Sequence, residues 1–247
     1  MKASVFTIVK FVFFLLLIAL VIIFFSMNGL VLYFHNYYTP VTSNTYTNKF
    51  PVIVIDAGHG GEDGGAEANG LVEKNINLSV ANYLIFYLSL SDVKCDMTRK
   101  EDVLLYNQGE EKHKKRFDIL NRVKFAEKYD DAIFVSIHQN KFEIPKYKGL
   151  QVYYSKNKSG SRYLAELIQN NSRSYLDREN KREIKPADYR IKVLDMLKIP
   201  AVLIECGFLS NPEEAKMLGT DEYQKKIAFV TFLSLAEYLN NGDNNEE

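Results

Sequence analysis

The chain has 247 residues, 47% apolar and 25% charged, which allows one domain of ordinary size and a further hydrophobic segment. Lys plus Arg and Asp plus Glu are equal at 31 each, so no strong field favours polyanions and nucleic acid is not an expected partner. Two cysteines, Cys95 and Cys206, with no CxxC spacing, exclude a disulfide scaffold and a thiolate metal site; both fall in predicted strands and read as buried free thiols.

In chain order, residues 1–10 carry Lys2 and Lys10 and read as a cytoplasmic N-terminus. Residues 11–34 are apolar on every face and long enough to cross a bilayer, which needs ~20 residues as helix. No Lys or Arg follows until Lys49, so the positive-inside rule places the remainder outside the cytoplasmic membrane. A cleaved signal peptide is the alternative, but residues 26–38 offer no good small-x-small site, which favours an uncleaved single-pass anchor. Residues 35–50 read as a polar linker, 51–240 as the folded domain and 241–247 as a disordered tail.

Within the domain, short apolar strands alternate with amphipathic helices. Strands are predicted at 52–56, 93–98, 132–137, 150–154, 191–194 and 201–205, and helices at 74–90, 116–129, 159–176 and 223–239. Asn211-Pro212 begins a further short helix by the cap-then-proline signature. This pattern predicts an α/β fold with a mostly parallel twisted sheet and helices on both faces.

Four polar residues fall where buried elements begin or end. His59 follows the first strand in VIVIDAGHGGEDGG, His138 the third in AIFVSIHQN and Glu205 the last in AVLIECGF, while Glu73 opens a helix in LVEKNINL. Ligands of open α/β sheets bind at the carboxyl ends of the strands, so these residues converge on one edge. Two imidazoles and a carboxylate with an open position form a catalytic zinc set, and the remaining carboxylate is a candidate base. Taken alone, Glu73 also suits the dipole of a helix start, and Glu205 a salt bridge to a local Arg. The glycine-rich turn does not fit a dinucleotide fingerprint, because residues 63–72 separate it from the next helix. It reads instead as a backbone reversal that lets His59 and Glu73 approach one centre. His113, in EEKHKKR, reads as a solvated surface residue.

The blocks IDAGHGGEDGGA, LVEKNINLSVANYL, MTRKED, NRVKFAEKYDDAIFVSIHQN and IPAVLIECGFLSNPEEAKML resemble, in order and spacing, the zinc-dependent N-acetylmuramoyl-L-alanine amidases. The resemblance implies one zinc ion held by His59, Glu73 and His138, with Glu205 as catalytic glutamate. It also implies substrate or supporting roles for Arg99, Arg122 and Asn140, whose other readings are structural pairing for the arginines and a turn cap for Asn140. Such enzymes cleave the amide between the lactyl group of N-acetylmuramic acid and L-alanine, which makes peptidoglycan the expected substrate. The stretch DRENKREIKPADYRIKVLDMLKIP resembles the short membrane-anchored form linked to spore cortex maturation, with its muramic lactam, and to germination. For that form the expected setting is the forespore intermembrane space, and an activating lipoprotein or other sporulation protein is a possible partner. Ala57 and Cys206 depart from the residues common at their positions in the family, and neither is a ligand in this reading. The alternative functions are another zinc hydrolase of the same polymer and a partner-dependent or non-catalytic wall-binding protein; the presence of all four site residues argues against a non-catalytic one.

Overall fold

The computed structural model describes residues 50–241. The predicted anchor at 11–34, its flanks at 1–10 and 35–49, and residues 242–247 lie outside the described residues. Among the described residues no helix is long and apolar enough to cross a membrane.

In chain order the first elements are β1 (Val52–Ala57), β2 (Glu67–Ala68), β3 (Leu71–Val72), α1 (Glu73–Leu88) and β4 (Cys95–Met97). Then come α2 (Lys114–Glu127), β5 (Ala132–Asn140), β6 (Gln151–Tyr154), α3 (Gly160–Tyr175) and β7 (Lys185–Pro186). The chain continues with α4 (Lys192–Met196), β8 (Ala201–Phe208), α5 (Pro212–Leu218) and α6 (Asp221–Asn241). Six strands form one sheet in the order β4-β1-β5-β8-β6-β7. The first four run parallel, while β6 is antiparallel to β8 and parallel to β7. The strands β1, β5 and β8 therefore bring their carboxyl ends to the same edge.

The central strands are mostly apolar because both faces are covered. On one face Ile53, Ile55, Ile133, Val135 and Ile204 pack with Val80 and Leu84 of α1, Leu164 and Ile168 of α3 and Ile227 of α6. On the other, Val54, Phe134 and Leu203 pack with Val123 and Ala126 of α2 and Val193 and Leu194 of α4. Each large apolar side chain buried in this way contributes about 1.5–3 kcal/mol. The sheet is thus held rigid from both sides, and its carboxyl edge is a fixed platform.

Several boundaries differ from expectation. Residues 191–194, expected as strand, form the start of α4: buried Val193, Leu194 and Leu197 lie on one helical face, with Lys192, Asp195 and Met196 exposed or partly so. The strand β5 does not stop before His138, nor β8 at Glu205; they run on to Asn140 and Phe208, so both side chains project from paired backbone. The two-residue strands β2, β3 and β7 were not expected. The helix α6 includes Asn240 and Asn241, so residue 241 belongs to the helix and not to the tail. Both cysteines are free, but only Cys206 is buried; Cys95, on edge strand β4, is partly exposed.

Candidate metal centre

The turn after β1 carries His59 in a left-handed conformation, φ 61°, uncommon for a residue with a side chain. Arg122 and Arg99 hold the backbone around it. The buried Arg122 guanidinium donates to the Ala57 and His59 carbonyls, both at 2.8 Å, and pairs with Asp56 and Asp118. The buried Arg99 donates to the carbonyls of Ala57 at 2.8 Å, Gly58 at 3.1 Å and Lys74 at 2.8 Å. One arginine therefore ties the turn to α2, and the other ties it to the start of α1. Neither lines the cleft described below; both act on the turn from beneath.

Glu73, at the first position of α1, is 3% exposed. Its Oε1 lies 2.8 Å from His138 Nδ1 and 3.3 Å from His59 Nε2, and it accepts the Gln139 amide at 3.0 Å. Its Oε2 accepts the Ala66 amide at 2.7 Å. Burial raises the Glu73 pKa, but the hydrogen bonds from the two imidazoles outweigh it and hold the carboxylate well below its usual range. His59 is affected in the opposite sense. Burial disfavours its charged form, yet Glu73 and Asp63 dominate and push it up to about 9. Asp63 Oδ2, 2.9 Å from His59 Nδ1, occupies that nitrogen and leaves Nε2 for the centre.

The ligand atoms of His59, Glu73 and His138 all lie within 4.8 Å of one another, and the two rings meet edge to face at 4.9 Å. Two backbone positions must be bare for this to happen. A Cβ on Gly58 would stand 2.2 Å from His138 Nε2, and one on Gly65 would stand 2.5 Å from Glu73 Oε2 and 2.7 Å from His59 Cδ2. Two imidazoles and one carboxylate suit zinc, with a coordination position left for water or substrate. The residues present fit the ion.

Glu205 is the register partner of His138 across β5 and β8. Its Oε2 is buried and has no hydrogen-bond partner among the described residues. Burial pushes its carboxyl up to about 7, His138 opposing and the Glu73 charge adding. Glu205 lines a cleft of about 530 Å³ together with Asn140, Gln151, Tyr153, Arg182 and Phe208. The Asn140 carbonyl accepts the Leu209 amide at 2.8 Å, so this residue both continues the ladder and faces the cleft.

Sequence reasoning brings His59, Glu73, His138 and Glu205 to one edge, and the structure places them there. It missed Asp56, Asp63, Asn77, Asp118 and Gln139. Asn77 had a signal: it stands one helical turn after Glu73 and donates to Glu73 Oε1 at 3.3 Å and to the Gly58 carbonyl at 3.1 Å. Asp56 had a weaker one, as a lone acid in an apolar run. It accepts from Thr98 at 2.7 Å and from Ser136 at 2.6 Å, besides its pairing with Arg122.

A carboxyl group kept near neutrality beside three convergent ligand atoms is the equipment of a hydrolase built on an α/β sheet. Known proteins of this build agree. The N-acetylmuramoyl-L-alanine amidase family (Amidase_3) matches residues 53–236, which include all of the sheet except Val52 and every residue of the centre. The germination-specific N-acetylmuramoyl-L-alanine amidase of Bacillus subtilis is 34% identical over 190 residues, 76% of this chain and 79% of that protein. The CwlD amidase of Clostridioides difficile, solved in complex with the GerS lipoprotein, is 38% identical with a TM-score of 0.73 over 77% of this chain and 98% of that one. The amidase AmiC2 of Nostoc punctiforme is 32% identical with a TM-score of 0.65, covering 77% and 97% of the two chains. The chain belongs to the N-acetylmuramoyl-L-alanine amidase family and is a peptidoglycan hydrolase of that specificity.

Proposed function

We propose that this amidase is zinc-dependent, with His59, Glu73 and His138 as the ligands and Glu205 as the proton carrier. The observation that supports it best is the register: a buried, unpartnered carboxyl oxygen stands on the strand next to His138. Zinc bound by these three residues would supply Lewis-acid chemistry, polarising the amide carbonyl and making water acidic at neutral pH. Glu205 then takes a proton from the attacking water on its carboxylate and returns it to the departing L-alanine nitrogen. A carboxyl poised near pH 7 serves both transfers, because the gain and the loss of the proton are then both cheap. Asp63 fixes the His59 tautomer, while Arg99 and Arg122 act as positioning residues by holding the turn that carries it.

The wider setting is part of the same proposal. Residues 11–34 anchor the chain in the cytoplasmic membrane with the catalytic domain outside, in the forespore intermembrane space of a spore former. The similarity to the germination-specific amidase supports a role in cortex maturation and germination. The CwlD structure with GerS supports a lipoprotein as partner.

The test uses the full chain in mild detergent with purified peptidoglycan, with and without zinc and chelator, and mass spectrometry of the products. Stem peptides with a free L-alanine amine are expected, and they disappear with chelator and with Glu205→Gln. Release that persists after the metal is stripped would overturn zinc dependence.

A further inference from the structure

The centre continues across the sheet as a row. His138 on β5 is paired in register with Glu205 on β8, and Glu205 is paired with Gln151 on β6. Residues directly opposite share a face. The row extends one step further, because Arg182 Nη1 donates to Gln151 Oε1 at 3.0 Å. So a metal-ligating position, a proton carrier, an amide and a guanidinium follow one another along one edge.

Arg182 is held firmly, and its charge acts on the carboxyls of Glu205 and Glu214 without a direct salt bridge to either. Its Nε donates to the Lys148 carbonyl at 2.7 Å, and its guanidinium lies over the Phe208 ring at 4.4 Å. Among the described residues its Nη2 has no hydrogen-bond partner and no carboxylate pairs with it. Lys185, on the same cleft, also has no ion-pair partner among the described residues. The third cation of the cleft differs: Arg190 is neutralised by Asp188, with its Nε 3.0 Å from Oδ2. Two cations without a salt-bridge partner among the described residues therefore face a cleft whose one acid besides Asp188 is Glu205.

Given the amidase assignment, on which this inference rests, the direction of the substrate follows. The scissile carbonyl lies at the His59–Glu73–His138 cluster, and the departing nitrogen lies at Glu205, which protonates it. The peptide half therefore leaves over Gln151 towards Arg182. We infer that Arg182, assisted by Lys185, is a specificity-determining residue that binds a carboxylate on the released peptide. One strand spacing plus one hydrogen bond puts the guanidinium roughly 8–10 Å from Glu205. An extended peptide, at ~3.3 Å per residue, reaches that distance within its first three residues. A guanidinium fixed through Nε and Nη1, with Nη2 free, is suited to donate a charge-assisted hydrogen bond to a carboxylate oxygen.

The experiment uses two synthetic muramyl peptides that differ only at the second residue of the peptide, a free carboxylate in one and its primary amide in the other. Binding of each is measured by calorimetry to zinc-loaded full chain carrying Glu205→Gln, which holds the ligand without turnover. The acid form is expected to bind about 10- to 100-fold more tightly, the size of one charge-assisted hydrogen bond. Arg182→Gln should bring the ratio to within about twofold, Arg182→Lys should retain part of it, and Lys185→Gln should lower it less. Equal binding of the two peptides, or an Arg182→Gln protein that weakens both equally and keeps the ratio, would overturn the inference. A turnover assay with the wild-type chain runs alongside. If the two peptides bind with the expected ratio but neither is cut, the amidase assignment fails and the carboxylate site stands.

Discussion

His138 and Glu205 are register partners on adjacent parallel strands, the last pair before the register shifts towards Asn140 and Phe208. No loop separates the imidazole from the carboxyl, so their spacing is set by the sheet. Replacing Glu205 by Gln keeps shape and burial and removes the proton carrier alone. The expected result is a loss in kcat of about 10²- to 10⁴-fold with zinc stoichiometry unchanged. Metal content by atomic spectroscopy and the melting temperature are read on the same sample. A variant that loses its zinc would show that Glu205 supports the ligands and not the chemistry.

Zinc uptake should release a proton from His59. Burial works against the imidazolium, but Glu73 and Asp63 outweigh it and raise its pKa to about 9, so the metal-free protein holds His59 charged at pH 7. A raised folded pKa stabilises the metal-free state below the unfolded value of ~6.5, and this contribution is lost as pH rises through about 9. The ion needs the neutral ring, so apparent zinc affinity rises about tenfold per pH unit up to about 9. Calorimetry in buffers of different ionisation enthalpy counts the protons. A count near zero at pH 7 would mean that His59 is already neutral in the metal-free protein.

Gly65→Ala tests whether the turn exists to make room for the centre. The residue has φ +73°, where a side chain costs about 1–2 kcal/mol, and its Cβ would press on Glu73 Oε2 and His59 Cδ2. The melting temperature should fall by about 2–4 °C per kcal/mol, and zinc should be held at least tenfold more weakly. Gly70→Ala is the control. It has φ +75° and nothing within 4 Å, so it carries the strain without the collision. Equal zinc affinity in the two variants would place the effect of Gly65 in backbone strain alone.

Much of the centre was legible because sequence and site share one cause. Strands covered on both faces must be apolar, so a polar residue at the end of VIVIDA, AIFVSI or AVLI is conspicuous. The strand ends were misplaced for the same reason. Polarity at His138 and Glu205 looks like termination, whereas the ladder continues and the polar groups are satisfied by one another or face the cleft. Residues 191–194 read as strand because a short apolar run has no decisive period. The burial of Val193, Leu194 and Leu197 follows a helical stripe that becomes visible only when Leu197 is included. The β2–β3 hairpin did have a signal in Asn69-Gly70, both at positive φ, the dipeptide suited to a two-residue turn. Gln151 and Arg182 had none, since their part depends on which strands become neighbours.

Beneath the centre, Asp56 and Arg122 form a buried pair, 1% and 3% exposed, that supports the turn bearing His59. Burial raises the pKa of Asp56, but Arg122, Ser136 and Thr98 overcome it and keep the carboxyl below its usual value. A depressed folded pKa contributes stability that is present above the unfolded value of ~3.9 and is lost as pH falls through the folded one. The wild-type chain should therefore keep this contribution down to about pH 4. In Arg122→Met the balance inverts. Burial then dominates, the folded pKa rises above the unfolded one, and stability falls as pH increases through that interval. The variant should be at least about 3–5 kcal/mol less stable at pH 7, the usual effect of removing one partner of a buried ion pair, because Asp56 and Asp118 both lose theirs. The deficit should shrink towards pH 4, where Asp56 is protonated in the folded variant and no longer needs a counter-charge. Chemical denaturation of the two metal-free proteins between pH 4 and pH 8 measures the difference directly. A deficit that does not change with pH would mean that Arg122 acts through its bonds to the Ala57 and His59 carbonyls, and that Asp56 contributes little to the stability of the turn.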